Sequence, residues 1–192
     1  METPKLAGRA LIVVDVQNDF LPGGALAVPQ RDEVIPVLNR YLAQFESEGL
    51  PVFATRDWHP SNHCSFNTQG GPWPVHCVKD TPGAAFPAAL KLPASAHVIS
   101  KGTTPEPEAY SGFEGTDLRE RLRSSGVEHL FIGGLATDYC VLNTVRDAVR
   151  LGFQVSLLEE AIRAVNVKPQ DGLKAVAEMH RLGAVTGDVR SQ

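Results

Sequence analysis

A chain of 192 residues with 43% hydrophobic and 21% charged side chains has the make-up of a soluble globular protein with room for one substantial core. A net charge of −4, with no run of Lys or Arg, offers no handle for nucleic acid or for an anionic membrane surface. No apolar stretch approaches membrane-spanning length and residues 1–10 carry no signal-peptide core, so the expected compartment is the cytoplasm.

In chain order, residues 9–16 (RALIVVDV) form a β-branched run that meets an acidic residue, Asp15, near its end. Similar short apolar runs follow at 52–55, 98–100, 129–132 and 153–158, with a weaker one at 184–186. Uninterrupted apolar runs of this length suit strands covered on both faces, and so a parallel sheet. Helical spacing separates them: Val34, Leu38, Tyr41, Leu42 and Phe45; Leu118 and Leu122, with Gly126 as the stop; Val141, Val145, Ala148 and Val149; and Leu173, Val176 and Ala177. Pro169 is read as part of the first turn of that last helix, with Gly183 just past its end. Alternation of strand and helix predicts a three-layer α/β/α sandwich around a mostly parallel sheet, built as a single domain over residues 1–192. Such folds bind ligands at the carboxyl ends of their strands. Two long loops, residues 57–93 and 102–115, interrupt the alternation and are read as functional.

Asp57 and His59 stand two apart after a predicted strand, so extended backbone turns both to one side, and His76 can return from the loop to meet them. Two imidazoles and a carboxylate suit Zn²⁺, with Fe²⁺ or Mn²⁺ as alternatives. The competing reading is that the three are polar loop residues capping turns. Downstream, residues 133–140 (GGLATDYC) run from a buried strand through a Gly pair into a helix, with Thr137 and Asp138 as cap candidates. Cys140 then falls in the first turn, where the helix end would lower its pKa and favour a nucleophilic thiolate. A buried cysteine serving as a small hydrophobe is the alternative. Asp15 and Lys101 end two other predicted strands and offer a base and a cation on the same edge. Phe20, Trp73, Tyr110 and Tyr139 lie in nearby loops, where aromatics could sandwich a flat ring. Cys64 and Cys77, with Cys140, make an odd set that argues against a disulfide framework.

Taken together, residues 11–24 (LIVVDVQNDFLPGG), 55–66 (TRDWHPSNHCSF), 73–84 (WPVHCVKDTPGA), 100–102 (SKG) with 109–115 (AYSGFEG), and 134–141 (GLATDYCV) resemble the nicotinamidase branch of the isochorismatase-like cysteine hydrolases. The resemblance runs in order over nearly the whole chain. It implies a catalytic triad of Asp15, Lys101 and Cys140, an oxyanion hole from the amides of Ala136 and Cys140, and a divalent metal on Asp57, His59 and His76. The position matching Ser65 lies in or beside the coordination shell in some relatives. Phe20 and Trp73 match ring-contacting aromatics, and Tyr139 a variable position before the nucleophile. A cis peptide is implied between Leu135 and Ala136. The implied reaction is hydrolysis of nicotinamide to nicotinate and ammonia through a cysteine thioester, with pyrazinamide as a further substrate. A small molecule is then the expected partner, and a homo-oligomer is compatible with the reading. Three rivals stand beside it: hydrolysis of isochorismate, carbamoyl or ureido compounds; a metallohydrolase in which Cys140 is incidental; and a non-catalytic binding protein on the same fold.

Overall fold

The computed structural model describes residues 8–27 and 30–187, and the polar opening stretch of residues 1–7 lies outside them. Six strands, β1 (Arg9–Val14), β2 (Val52–Asp57), β3 (His97–Lys101), β4 (His129–Leu135), β5 (Gln154–Arg163) and β6 (Val185–Thr186), pair in the order β3-β2-β1-β4-β5-β6, and every pairing is parallel. Four α-helices, α1 (Val34–Ser47), α2 (Leu118–Ser124), α3 (Leu142–Arg150) and α4 (Asp171–Leu182), cover the two faces. The expected three-layer α/β/α sandwich is the fold observed.

The apolar run in β1 has a direct physical cause. Every residue from Ala10 to Val14 is fully buried, because the strand has a strand neighbour on each side and a hydrophobic layer on each face. Leu11 and Val13 pack with Leu38, Leu42 and Phe45 of α1. Ala10, Ile12 and Val14 pack on the opposite face with Leu118 and Leu122 of α2, Val145 and Ala148 of α3, and Met179 of α4. Period-two alternation within one strand therefore feeds two separate cores.

Several boundaries differ from the sequence expectation, and the differences matter for the site. The strand expected at residues 52–55 continues to Asp57, and the one at 98–100 continues to Lys101, because pairing with a neighbour extends a strand past its apolar residues. Asp57, expected at the start of a loop, becomes the Cα partner of Lys101 in the β2–β3 ladder. Pro169 is not in the first turn of α4: that helix is entered through Gln170 in the left-handed conformation, and the Asp171 carboxylate caps the entry by accepting from Lys168 N at 2.8 Å. Before α3, residues Thr137–Val141 form a wider π-helical turn in place of a first α-turn. Neither Thr137 nor Asp138 caps it. The Asp138 carboxylate accepts instead from Val165 N and Asn166 N, both at 2.8 Å, and ties down the chain that follows β5.

The long loop after β2 is held by the segment that follows β1. Gln17 is fully buried and donates to Asp57 O and Ala84 O, each at 2.8 Å, while its Oε1 accepts from Asp57 N at 2.8 Å. Asp19 accepts from Cys77 N at 2.7 Å, next to His76. The peptide bond Leu135–Ala136, which leads from β4 into the π-turn, is cis as the resemblance implied.

Gly134 fixes how closely β4 approaches β1. Its φ is +125°, and a Cβ there would strike the backbone O and N of Val14. Gly126, after α2, also has a positive φ (+67°), but nothing lies within 4 Å of its missing Cβ. Gly126→Ala should therefore lose about 1 kcal/mol, the cost of placing a side chain in the left-handed region. Gly134→Ala should lose about 3 kcal/mol or more, because a backbone clash in the sheet is added. Urea-unfolding midpoints of the two variants measure the contrast, and equal losses would mean that the β1–β4 contact is not the constraint.

Candidate active site

Four strand ends deliver the chemistry. Asp15 follows β1, Asp57 ends β2, Lys101 ends β3, and Cys140 stands in the π-turn after β4. The strand order reverses direction between β1 and β4, so their connections leave on opposite sides and a crevice opens there, where open α/β sheets place ligands. Asp15 leaves the sheet with φ +47°, and its amide donates to Thr55 O at 3.1 Å.

At the centre is Lys101, whose ammonium is fully buried. Its Nζ lies 2.9 Å from Asp15 Oδ2 and 2.5 Å from Asp57 Oδ1, and it donates to Ala109 O at 3.0 Å. Cys140 Sγ is 3.5 Å away. Burial alone would drive the ammonium towards neutrality, but the two carboxylates outweigh it and hold its pKa above the ordinary value. Burial would likewise lift the Asp57 carboxyl. The Lys101 ammonium opposes it and keeps Asp57 well below the usual carboxylate range. Asp15 moves the other way: burial, reinforced by the nearby Asp57 charge, lifts it above the ordinary carboxylate value despite Lys101. Thr55 Oγ1 donates to its Oδ1 at 2.7 Å, while Oδ2 faces Lys101 Nζ.

The Cys140 thiol does not have the lowered pKa that a helix N-terminus was expected to confer. Burial pushes it up, and the charges of Asp15 and Asp57 act in the same direction against Lys101. The thiol rests against the Asp15 carboxylate, a group that could take its proton.

Asp57, His59 and His76 come together as the sequence suggested, with ligand atoms within 4.8 Å of one another and all three residues buried. Their hydrogen bonds suit a metal. His59 Nδ1 faces Gly102 O at 2.8 Å and His76 Nδ1 faces Pro74 O at 2.7 Å. A carbonyl only accepts, so each ring carries its proton on Nδ1 and turns the Nε2 lone pair towards Asp57 Oδ2, at 3.5 and 3.9 Å. His59 Nε2 is buried with no hydrogen-bond partner, a position that a divalent ion would satisfy.

The remaining candidates fall into two groups. Phe20, Trp73, Tyr110 and Tyr139 all line one cavity with Asp57, His76, Ala136 and Cys140. Trp73 Nε1 donates to Tyr110 OH at 3.1 Å, and the Trp73 and Tyr139 rings meet edge to face at 5.0 Å. Ser65 is buried beside the donor set, but its hydroxyl meets His63 Nδ1 at 2.7 Å. His63 stacks on His59 at 3.8 Å and joins it with Glu108 in a second, overlapping donor group. Cys64 and Cys77 are free thiols, Cys77 within the α1-side core. Sequence reasoning missed Thr55, Gln17 and two cavity residues, Glu108 and Arg31. The spacing of Gln17 and Asp19 after Asp15 was visible, but nothing in it indicated contacts about 40 to 67 residues away.

Known proteins match this architecture. The chain is 42% identical over 197 residues to the nicotinamidase of Escherichia coli strain K12, covering 92% of each protein. Among solved structures it is similar to the pyrazinamidase of Pyrococcus horikoshii in complex with zinc, with a TM-score of 0.89 and 52% identity over 94% of this chain and 98% of that one. It is also similar to PnC1 from L. infantum in complex with nicotinate, with a TM-score of 0.87 and 37% identity over 96% of this chain and 94% of that one. Residues 9–190 match the isochorismatase domain model, and the chain belongs to that family.

Proposed function

We propose that this chain is a nicotinamidase, which hydrolyses nicotinamide to nicotinate and ammonia through a thioester on Cys140 and also accepts pyrazinamide. The observation that carries the reading is the shared lysine. Lys101 joins the carboxylate beside the thiol to the carboxylate of the metal-donor set, and Cys140 and Asp57 both line one aromatic-walled cavity. The nicotinamidase and pyrazinamidase relatives and the nicotinate-bound structure support the substrate class. One catalytic domain over residues 1–192 is part of the same reading.

In this mechanism Asp15 takes the Cys140 proton while Lys101, 3.5 Å from the sulfur, balances the thiolate. The thiolate attacks the carboxamide carbon, and the oxygen that becomes negative is received by the amides of Ala136 and Cys140. Asp15 returns the proton to the amine, the C–N bond breaks, and ammonia leaves. A water molecule then gives a proton to Asp15 and attacks the thioester carbon, which releases nicotinate and restores the thiol. Phe20, Trp73, Tyr110 and Tyr139 enclose the ring and exclude bulk water. Asp57, His59 and His76 would hold the metal, with Ser65 positioning the neighbouring His63. We assign zinc, because two neutral imidazoles and a carboxylate suit it and the Pyrococcus horikoshii relative was crystallised with it. When bound, the ion supplies a Lewis acid for the pyridine nitrogen.

Four experiments test this reading. Cys140→Ala should lower ammonia release from nicotinamide by at least about 10⁴-fold, the scale of removing a covalent nucleophile. Retention of most activity would replace the thioester route by a metal-water hydrolase. Lys101→Ala should abolish turnover and also destabilise the protein by about 3–5 kcal/mol, because two buried carboxylates lose their cation. A kinetic loss with unchanged urea unfolding would show that the pairing is not structural. His76→Ala should purify with its zinc content sharply reduced and its circular dichroism unchanged. In the zinc-loaded parent, benzamide, which lacks the ring nitrogen, should have a kcat/KM at least about a hundredfold below that of nicotinamide. Equal rates would leave the cysteine chemistry in place and make the enzyme a general aromatic amidase.

A further inference from the structure

One cation in the cavity has no part in the mechanism above. Arg31 is 1% exposed and lines the same space as Cys140, Phe20 and Ala136. Its Nη1 donates to Phe20 O at 3.4 Å and Leu26 O at 3.2 Å, and the guanidinium carbon stands 5.8 Å from the Phe20 ring centre. Its Nε and Nη2 are buried and have no hydrogen-bond partner. Among the described residues no carboxylate lies within ion-pair distance of it. Burial lowers the guanidinium only to about 10, against the pull of Asp138 and Cys140, so it remains charged at neutral pH.

A buried charge with unused donors is costly unless something pairs with it. The donors left over, one Nε–H and the Nη2 group, form the edge of the guanidinium that grips a planar carboxylate in two parallel hydrogen bonds. We propose that Arg31 forms a carboxylate subsite within the active cavity. The carboxylate has two sources: the acid that the amidase reaction produces, or a carboxylate carried on the ring of an acidic aromatic amide. The inference rests on the amidase reading for its choice of ligands, but the subsite itself rests on the unpaired guanidinium.

The test compares ratios, because Arg31 also holds two loop carbonyls. Loss of that strut would weaken neutral and anionic ligands alike, whereas loss of the subsite weakens only the anion. In zinc-loaded protein carrying Cys140→Ala, which binds without turnover, dissociation constants for nicotinate and nicotinamide are measured by calorimetry with Arg31 intact and with Arg31→Gln. Gln keeps a donor for the loop and removes the charge. In the protein with Cys140 restored, kcat/KM is measured for nicotinamide and for 5-carboxynicotinamide.

If the product is the ligand, the preference for nicotinate over nicotinamide should fall about tenfold in Arg31→Gln, the scale of a charge-assisted hydrogen bond. If a substrate carboxylate is the ligand, that preference stays and the relative kcat/KM for 5-carboxynicotinamide falls by a similar factor. Arg31→Lys keeps the cation without the planar edge. It should lose about threefold in the same ratio, and it carries the test if the Gln variant does not fold. Both ratios unchanged in every folded variant would overturn the subsite and leave Arg31 as a loop strut. Arg31-dependent nicotinate binding in a protein that hydrolyses neither amide would instead remove the amidase reading and keep the subsite.

Discussion

Two carboxylates and one ammonium, all withdrawn from water, set the terms for the rest of the site. Lys101 cannot remain charged in this setting without Asp15 and Asp57, and neither carboxylate would remain ionised there without Lys101. The three come from the ends of three adjacent parallel strands, and the β2–β3 ladder sets Asp57 directly beside Lys101. The position of the charges is thus a consequence of sheet register. A slip of one residue would turn one of these side chains to the other face of the sheet. The fold and the electrostatics stabilise one another, which suits a catalytic centre whose geometry must be fixed before substrate arrives.

The same arrangement divides the labour. Asp57 is held ionised on the metal-donor side, while burial raises the pKa of Asp15 on the thiol side. One cation serves two chemically similar groups whose surroundings push them in opposite directions, a pattern that assigns different roles to paired titratable groups. The expectation that the helix end would lower the Cys140 pKa overlooked burial. For this buried thiol, desolvation outweighs what the Lys101 charge gives back.

The loops depend on the strands in turn. Gln17 and Asp19 follow β1 by only a few residues, yet they fix the backbone at Asp57, Cys77 and Ala84 and so place both ends of the metal-donor set. The carbonyls of Gly102 and Pro74 then select the tautomers of His59 and His76. The long loop after β2 is therefore ordered by buried polar side chains as well as by apolar packing, and its ligand atoms reach their positions without a regular element to carry them.

Much of this could be read from the sequence. Short apolar runs alternating with helical spacing determined a parallel sheet with helices on both faces, because only a strand covered on both sides has no use for a polar residue. Asp15 and Lys101 were recognisable because they end predicted strands, Asp57 because it follows one two residues before His59, and Cys140 because a strand and a Gly pair lead into its helix. What tertiary structure alone decided lies in contacts between residues far apart in the chain. That Lys101 is shared by two carboxylates depends on strand order and register. That the thiol is raised rather than lowered depends on how completely the cavity walls exclude water. Arg31, in a short segment before α1, gave no signal in the sequence, and only the folded chain shows it buried at the cavity that Cys140 lines, with unused donors. Periodicity records which face of its own element a residue occupies. Desolvation and pairing depend on what the other elements bring to that face, and no local pattern in the sequence carries that information.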